Sequence, residues 1–160
     1  MRDDVTFSDG EPLTAEDVVF TYQFTMNQAI QAPSQRAYLD KLKEVKALGK
    51  YAVEFVFKEP YFQALYTAGN LLPVLPKHFY EAYLKEPQKF NESKGLLLGS
   101  GPYKLTDPKA WTPDLGNVEL VRNERYWGDV QPSYQRILWK IIQNDSARLT
   151  TFRNGDIDFY

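Results

Sequence analysis

The chain has 160 residues, 43% of them apolar and 25% charged, which is ordinary for a folded domain. A net charge of −2 leaves no basic face to neutralise phosphates, which argues against nucleic acid as a partner. There is no cysteine, hence no disulfide and no thiol chemistry, and no apolar run reaches the ~18 residues that a membrane-spanning helix needs.

In chain order, the first predicted element is a turn feeding a capped helix: Phe7-Ser8-Asp9-Gly10-Glu11-Pro12-Leu13-Thr14-Ala15-Glu16-Asp17-Val18-Val19-Phe20. Gly10 can take a positive φ and Pro12 presets its own. Thr14 stands at the N-cap, with Asp17 three residues on as a shortened capping box and Glu16 adding charge to the first turn. The helix then presents Val18, Val19, Tyr22 and Phe20, Phe24 at helical spacing. Residues 27–36 show no period and read as loop, with at most a helical turn before Tyr38-Leu39. Residues 43–48 and 51–58 read as strands joined at Gly49-Lys50. In the second, Val53, Phe55 and Phe57 alternate with polar neighbours, and a hairpin is the simplest connection. Residues 61–67 read as a short helix stopped near Gly69. Residues 73–76 are extended, Pro76 opens a helix through His78, Phe79, Tyr83 and Leu84, and Pro87 closes it.

Farther on, Leu96-Leu97-Leu98 leads into a glycine turn, Tyr103-Lys104-Leu105 begins a strand, and 111–114 is loop. Residues 118–121 read as a strand. Residues 137–142 form the most apolar short run in the chain and read as a central strand buried on both faces. Asp145 is expected to cap a helix whose Ala147, Leu149 and Phe152 face inward, Gly155 to end it, and 157–160 to start one more strand. The alternation of strands and helices predicts a mixed α/β (α+β) fold.

Chemistry-bearing residues are sparse. His78 is the only histidine, so nucleophilic catalysis through a Ser-His-Asp set would depend on it alone, and it reads as a surface or helix-cap residue. No His-x-x-x-His or Cys-x-x-Cys spacing exists, so no metal site and no cofactor are expected. Gly99-Ser100-Gly101 lacks the Lys-Ser/Thr of a P-loop and the third glycine of a dinucleotide fingerprint. Two glycines before Pro102 read instead as a fixed bend. Asp156 and Asp158 would share one face of a strand, from which a hydrolase with paired carboxylates can be imagined. Arg122, Arg125, Tyr126 and Trp127 together could grip a carboxylate and stack.

Four segments carry a resemblance. The run from Phe7 to Phe20 resembles the aromatic-x-Asp-Gly-x-Pro-x-Thr-Ala-x-Asp-Val-x-Phe segment of the bacterial extracellular solute-binding proteins of family 5, the oligopeptide- and dipeptide-binding components of ABC importers. Gly99-Ser100-Gly101-Pro102-Tyr103-Lys104-Leu105 is similar to that family's Gly-x-Gly-Pro-Tyr-x-Leu. Arg122-Asn123-Glu124-Arg125-Tyr126-Trp127-Gly128 resembles its Arg-Asn-x-x-Tyr-Trp-Gly, and Asp145 through Arg148 with Asn154-Gly155-Asp156-Ile157-Asp158 resembles its Asp-x-x-x-Arg and Asn-Gly-x-Ile-Asp run. The order and spacing agree over nearly the whole chain.

The resemblance implies part of a periplasmic-binding-protein type II fold, an incomplete lobe plus an extra domain, with residues 1–72 in the extra domain and 73–160 in the first lobe. It implies an internal piece of a longer protein, since no stretch here fits an export signal and Met1-Arg2 stands where the family is already inside its first lobe. The implied work is non-catalytic: capture of a peptide by lobe closure and delivery to an ABC permease, in the periplasm or outside the cell. Nickel complexes, oligosaccharides or other solutes are alternative cargoes. The acidic-residue hydrolase is the enzymatic rival. In the family the segment around Trp127 is structural and the acids at 156 and 158 do no catalysis. Tyr38 and Tyr160 are the positions nearest to ligand-facing stretches. The piece alone is expected to bind poorly and, with strand edges left open, to pair into edge-mediated dimers.

Overall fold

A computed structural model describes residues 1–70, 73–93, 95–109, 111–112 and 116–159. Helix α1 (Ala15–Met26) and helix α2 (Pro33–Leu39) precede a hairpin of β1 (Leu42–Gly49) and β2 (Ala52–Phe57). Next come α3 (Ala64–Asn70), α4 (Lys77–Tyr80) continued by a 3₁₀ turn over Glu81–Leu84, and α5 (Pro87–Glu92). Strands β3 (Tyr103–Leu105), β4 (Asn117–Arg122) and β5 (Arg136–Lys140) and helix α6 (Asp145–Arg153) complete a mixed α/β chain. The strands form two antiparallel sheets, β1-β2 and β3-β4-β5.

Helix α1 is the centre of the packing, and its apolar residues serve two sides rather than one. Val18 packs with Leu39, Leu42 and Val45 against the hairpin, where Val53, Phe55 and Phe57 of β2 close the layer. Phe20 and Phe24 face the other way, toward Ile30 and Tyr80. The Phe24 ring meets Phe20 at 5.4 Å and Phe90 edge-on at 4.9 Å, the tilted and T-shaped geometries that aromatic quadrupoles favour. Each such side chain contributes roughly 1.5–3 kcal/mol by leaving water. A third cluster joins Val5, Phe7 and Leu13 to Val74 and Trp127.

The start of α1 follows the expectation. Asp17 Oδ2 accepts hydrogen bonds from the Thr14 N–H at 2.8 Å and the Thr14 hydroxyl at 3.0 Å. Its other oxygen reaches sixty residues ahead in the chain, accepting from the Lys77 N–H at 2.9 Å. One turn on, Thr21 Oγ1 accepts from the Leu75 N–H at 2.8 Å and donates to the Asp17 carbonyl at 2.6 Å. Buried Asp17 and Thr21 thus bolt the 75–77 strip to α1 with every polar atom partnered.

Several elements differ from expectation. The expected loop over 27–36 ends in a helix, α2, which Pro33 opens in its first turn, where the missing N–H is harmless. Only Leu39 of α2 is buried, so the sequence carries no apolar period there. The hairpin turn lies at Lys50-Tyr51, one residue later than expected, because Gly49 still pairs with Ala52. Helix α3 begins at Ala64 and runs through Gly69. Pro87 opens α5 instead of closing the preceding helix, which is only one turn of α followed by one of 3₁₀. Residues 137–142 are not a doubly buried central strand: β5 sits at the sheet edge beside β4, with Leu138 and Ile141 exposed and Trp139 61% exposed. The N-cap of α6 is Asn144, whose Oδ1 accepts from the Ala147 N–H at 2.9 Å, while Asp145 is the first helical residue and pairs with Arg148 at 3.2 Å. None of α6 is buried, so its Ala147, Leu149 and Phe152 do not form an inward face here. Gly155 does take the left-handed position, at φ +77°, but 156–159 carry no strand.

Candidate functional site

Residues of three of the four motif segments, 7–20, 99–105 and 122–128, converge on one seam. Phe7 is fully buried, and its carbonyl accepts from the Gly10 N–H at 2.9 Å, closing the Asp9-Gly10 turn. The next residue joins this turn to the glycine bend, as the Ser8 N–H donates to the Gly99 carbonyl at 2.9 Å. Trp127 Nε1 donates to the Ser100 carbonyl at 2.9 Å and Asn123 Nδ2 to the Gly101 carbonyl at 2.9 Å. Asn123 is wholly buried; its own N–H donates to the Pro102 carbonyl at 2.9 Å and its Oδ1 accepts from the Arg125 N–H at 3.1 Å. Arg125 Nη1 donates to the Asp9 carbonyl at 2.8 Å, lying across Gly10. A Cβ on Gly10 would stand 1.8 Å from that nitrogen, and φ is +102° there, so glycine is required twice over.

This arrangement decides between the readings of each motif. A phosphate cradle presents N–H groups to its anion. In the 99–101 bend all three carbonyls are instead aimed at donors from the other motifs. Arg125 and Trp127 are used up in the seam, Arg122 Nε pairs with Glu124 at 3.1 Å, and the Trp127 ring carries the Arg2 guanidinium at 4.9 Å. The conspicuous arginine-aromatic segment is therefore a joint between distant parts of the chain rather than a carboxylate grip.

His78 joins the same seam. Its Nε2 lies 2.7 Å from Asp9 Oδ2, and its ring stands edge-on to Phe7 at 5.9 Å. Partial burial pushes the Asp9 carboxyl upward, but hydrogen bonds with the His78 ring and from the Glu11 N–H outweigh that, and the group is held below the ordinary aspartate range. Among the described residues the hydrogen-bond partner of the His78 ring is Asp9, with no hydroxyl beside it. Asp156 and Asp158 are exposed on an irregular stretch and do not share a strand face. Among the described residues no group of three or more His, Asp or Glu side chains is arranged to hold a metal ion.

Of the two ligand-facing candidates, Tyr38 lies near the end of α2 and is 61% exposed. It stands two residues before Asp40, whose carboxylate pairs with Lys58 at 2.9 Å at the open end of the hairpin. Tyr160 lies outside the described residues. A half-open apolar cleft of about 310 Å³ between α1, α2 and α5, with Phe24, Ile30, Leu39 and Phe90 among its walls, does not include Tyr38. Sequence reading missed Arg36, whose Nη1 donates to the carbonyls of Thr25, Asn27 and Ile30 at 3.3, 3.2 and 2.6 Å and so shapes the loop leading to Tyr38. An arginine just after an aperiodic polar loop was the only available signal.

Protein XP55 of Streptomyces lividans is 34% identical over 158 residues, 99% of this chain and 27% of the relative. The nickel-binding periplasmic protein of Escherichia coli is 30% identical over 158 residues, 99% of this chain and 28% of the relative. Among solved structures, the oligopeptide-binding protein AppA from Bacillus subtilis, in complex with a nonapeptide, superposes with a TM-score of 0.78 at 29% identity, covering 98% of this chain and 30% of that one. The chain thus spans less than a third of the length of each of these three proteins. The family profile described as bacterial extracellular solute-binding proteins, family 5 Middle, matches residues 1–160. With that match over the whole chain, the chain belongs to the bacterial extracellular solute-binding proteins of family 5.

Proposed function

We propose that these residues are part of the solute-binding component of an ABC importer, working in the periplasm or at the outer cell surface and taking peptides as cargo. The observation that carries this reading is the superposition, over 98% of the chain, on a protein solved with a nonapeptide bound. In this reading the protein holds its cargo without transforming it, and passes it to a membrane permease after the lobes close. None of the described helices is long and apolar enough to cross a membrane, which fits a binding component that meets a separate permease. Residues 1–72 would form the extra domain and 73–160 part of the first lobe, with the Asp9–Arg125 seam binding the two.

Tyr38 is the residue of this chain that would face the peptide, as an exposed aromatic able to stack and to hydrogen-bond through its hydroxyl; Tyr160 would flank a second ligand-facing stretch. The 160 residues alone would bind weakly, because a formed site buries roughly 70–90% of a ligand's surface and one partial lobe cannot. The open β5 edge would favour pairing of two copies. Isothermal titration of the full-length protein with a mixed nonapeptide pool, and separately with a nickel–histidine complex, tests the cargo. Peptide heat that weakens about tenfold or more in Tyr38→Ala is the expected result. Heat with the nickel complex alone would overturn the peptide reading.

A further inference from the structure

Helix α2 is tied to the rest of the fold by two side chains that flank Tyr38. Leu39, its only buried residue, sits in the cluster of Val18, Leu42 and Val45. Arg36, half-buried, is the other. The last turn of α1 carries no basic residue, and the Asn27 N–H serves the Gln23 and Phe24 carbonyls, which leaves the Thr25 carbonyl to an outside donor. Arg36 Nη1 donates to it at 3.3 Å, and the same nitrogen reaches the Asn27 and Ile30 carbonyls at 3.2 and 2.6 Å. Its charge thereby stands at the negative end of the α1 dipole. From the other side Asn91 of α5 clamps the loop, accepting from the Gln31 N–H and donating to the Ala29 carbonyl, both at 2.8 Å. The stretch from α1 to α2 is therefore a braced element, and Tyr38 projects from its end, 61% exposed.

We propose that Arg36 is a positioning residue for ligand capture: it ties α2 to the C-terminal end of α1 and so holds Tyr38 in place before the cargo arrives. A seven-residue helix pinned by one buried side chain can swing about that pin, and a second tie to fixed carbonyls removes the swing. The ordering of Tyr38 is then borne by folding rather than by binding, which is how preorganisation raises affinity. Arg36 does this without touching the cargo, because its Nη1 is turned onto the backbone. The inference rests on the reading of Tyr38 as the peptide-facing residue, and its test separates the two.

In the full-length protein, titrated calorimetrically with the mixed nonapeptide pool, Arg36→Met is expected to weaken binding about tenfold. Arg36→Lys, whose ammonium can meet the same carbonyls, should stay within about threefold of the unaltered protein. In a Tyr38→Ala background the Arg36→Met change should cost less than about twofold, because the residue through which it acts is gone. An undiminished loss in that background would overturn the proposal, since Arg36 would then act on the cargo or on the fold at large. Equal losses in Arg36→Lys and Arg36→Met would overturn it as well. If Tyr38→Ala weakens binding and Arg36→Met does not, the positioning role falls and the peptide-facing role of Tyr38 stands. If Tyr38→Ala leaves binding intact, the role of Tyr38 falls and takes the positioning role with it. Should Arg36→Met fail to fold, amide exchange of residues 34–39 in the unaltered, peptide-free protein decides the matter. Protection before peptide is added supports a braced α2, and protection that appears only with peptide refutes it.

Discussion

The two ends of the chain show the same kind of apolar side chain meeting opposite fates. Around α1, Val18, Phe20, Phe24, Leu39, Leu42 and Val45 are all buried, because the helix is flanked by the hairpin on one side and by α4 and α5 on the other. From residue 116 to 159, among the described residues, only Asn123 is buried. That stretch nevertheless contains the most apolar run in the chain, which lies at a sheet edge with Trp139 and Ile141 in the open. Hydrophobicity supplies the drive to leave water, but burial needs a partner of matching shape. Among the described residues the first region finds its partners on both sides of α1, whereas in the second Trp127 reaches the Phe7 cluster and Trp139 and Ile141 stay in the open.

The largest expected effect tests the first region. Phe24→Ala removes a ring held by Phe20, Tyr80 and Phe90 and should lower the unfolding free energy by about 3–5 kcal/mol, read from urea melts by circular dichroism. A loss under about 1 kcal/mol would mean that the α1 sandwich is looser than its geometry implies. The seam between the regions comes next. Gly10→Ala forces a side chain into a left-handed backbone and onto the Arg125 guanidinium, at an expected cost of about 1–3 kcal/mol. In an Arg125→Ala background the same substitution should cost less by about 1 kcal/mol, since only the backbone strain remains; strict additivity would show that the clash relaxes freely. The smallest effect belongs to the second region. Trp139→Ser in the 160-residue chain should change stability by no more than about 0.5 kcal/mol, because the ring has little to lose. In the full-length protein the same change is expected to cost about 2 kcal/mol or more if an added strand covers β5. Equal small costs in both would erase the contrast.

Local chemistry was legible without coordinates wherever a residue type has one strong use. The Thr14-Asp17 start of α1, the alternation along β2, the left-handed glycines at 10 and 155, the strand beginning at Tyr103 and the strand read at 118–121, which the structure extends to Asn117–Arg122, follow from capping, pleat and φ preferences acting within a few residues. The four motif segments, and with them the family, were likewise present in the chain as written. Even there the limits show in the prolines. Pro33 and Pro87 each open a helix, and a proline's fixed φ and missing N–H suit the first turn of a helix as well as the residue after its end.

What the sequence determined by itself, then, was the set of short-range elements and the kinship of the chain. Only the tertiary structure decided that Asp17 and Thr21 bolt α1 to residues 75–77, that Arg125 rests on Gly10 across more than a hundred residues, and that 137–140 lie at an edge rather than in a centre. The physical reason is the range of the forces. Caps, turns and pleats are settled by neighbours along the chain, whereas burial and long-range hydrogen bonds depend on which surfaces meet, and that is a property of the folded body.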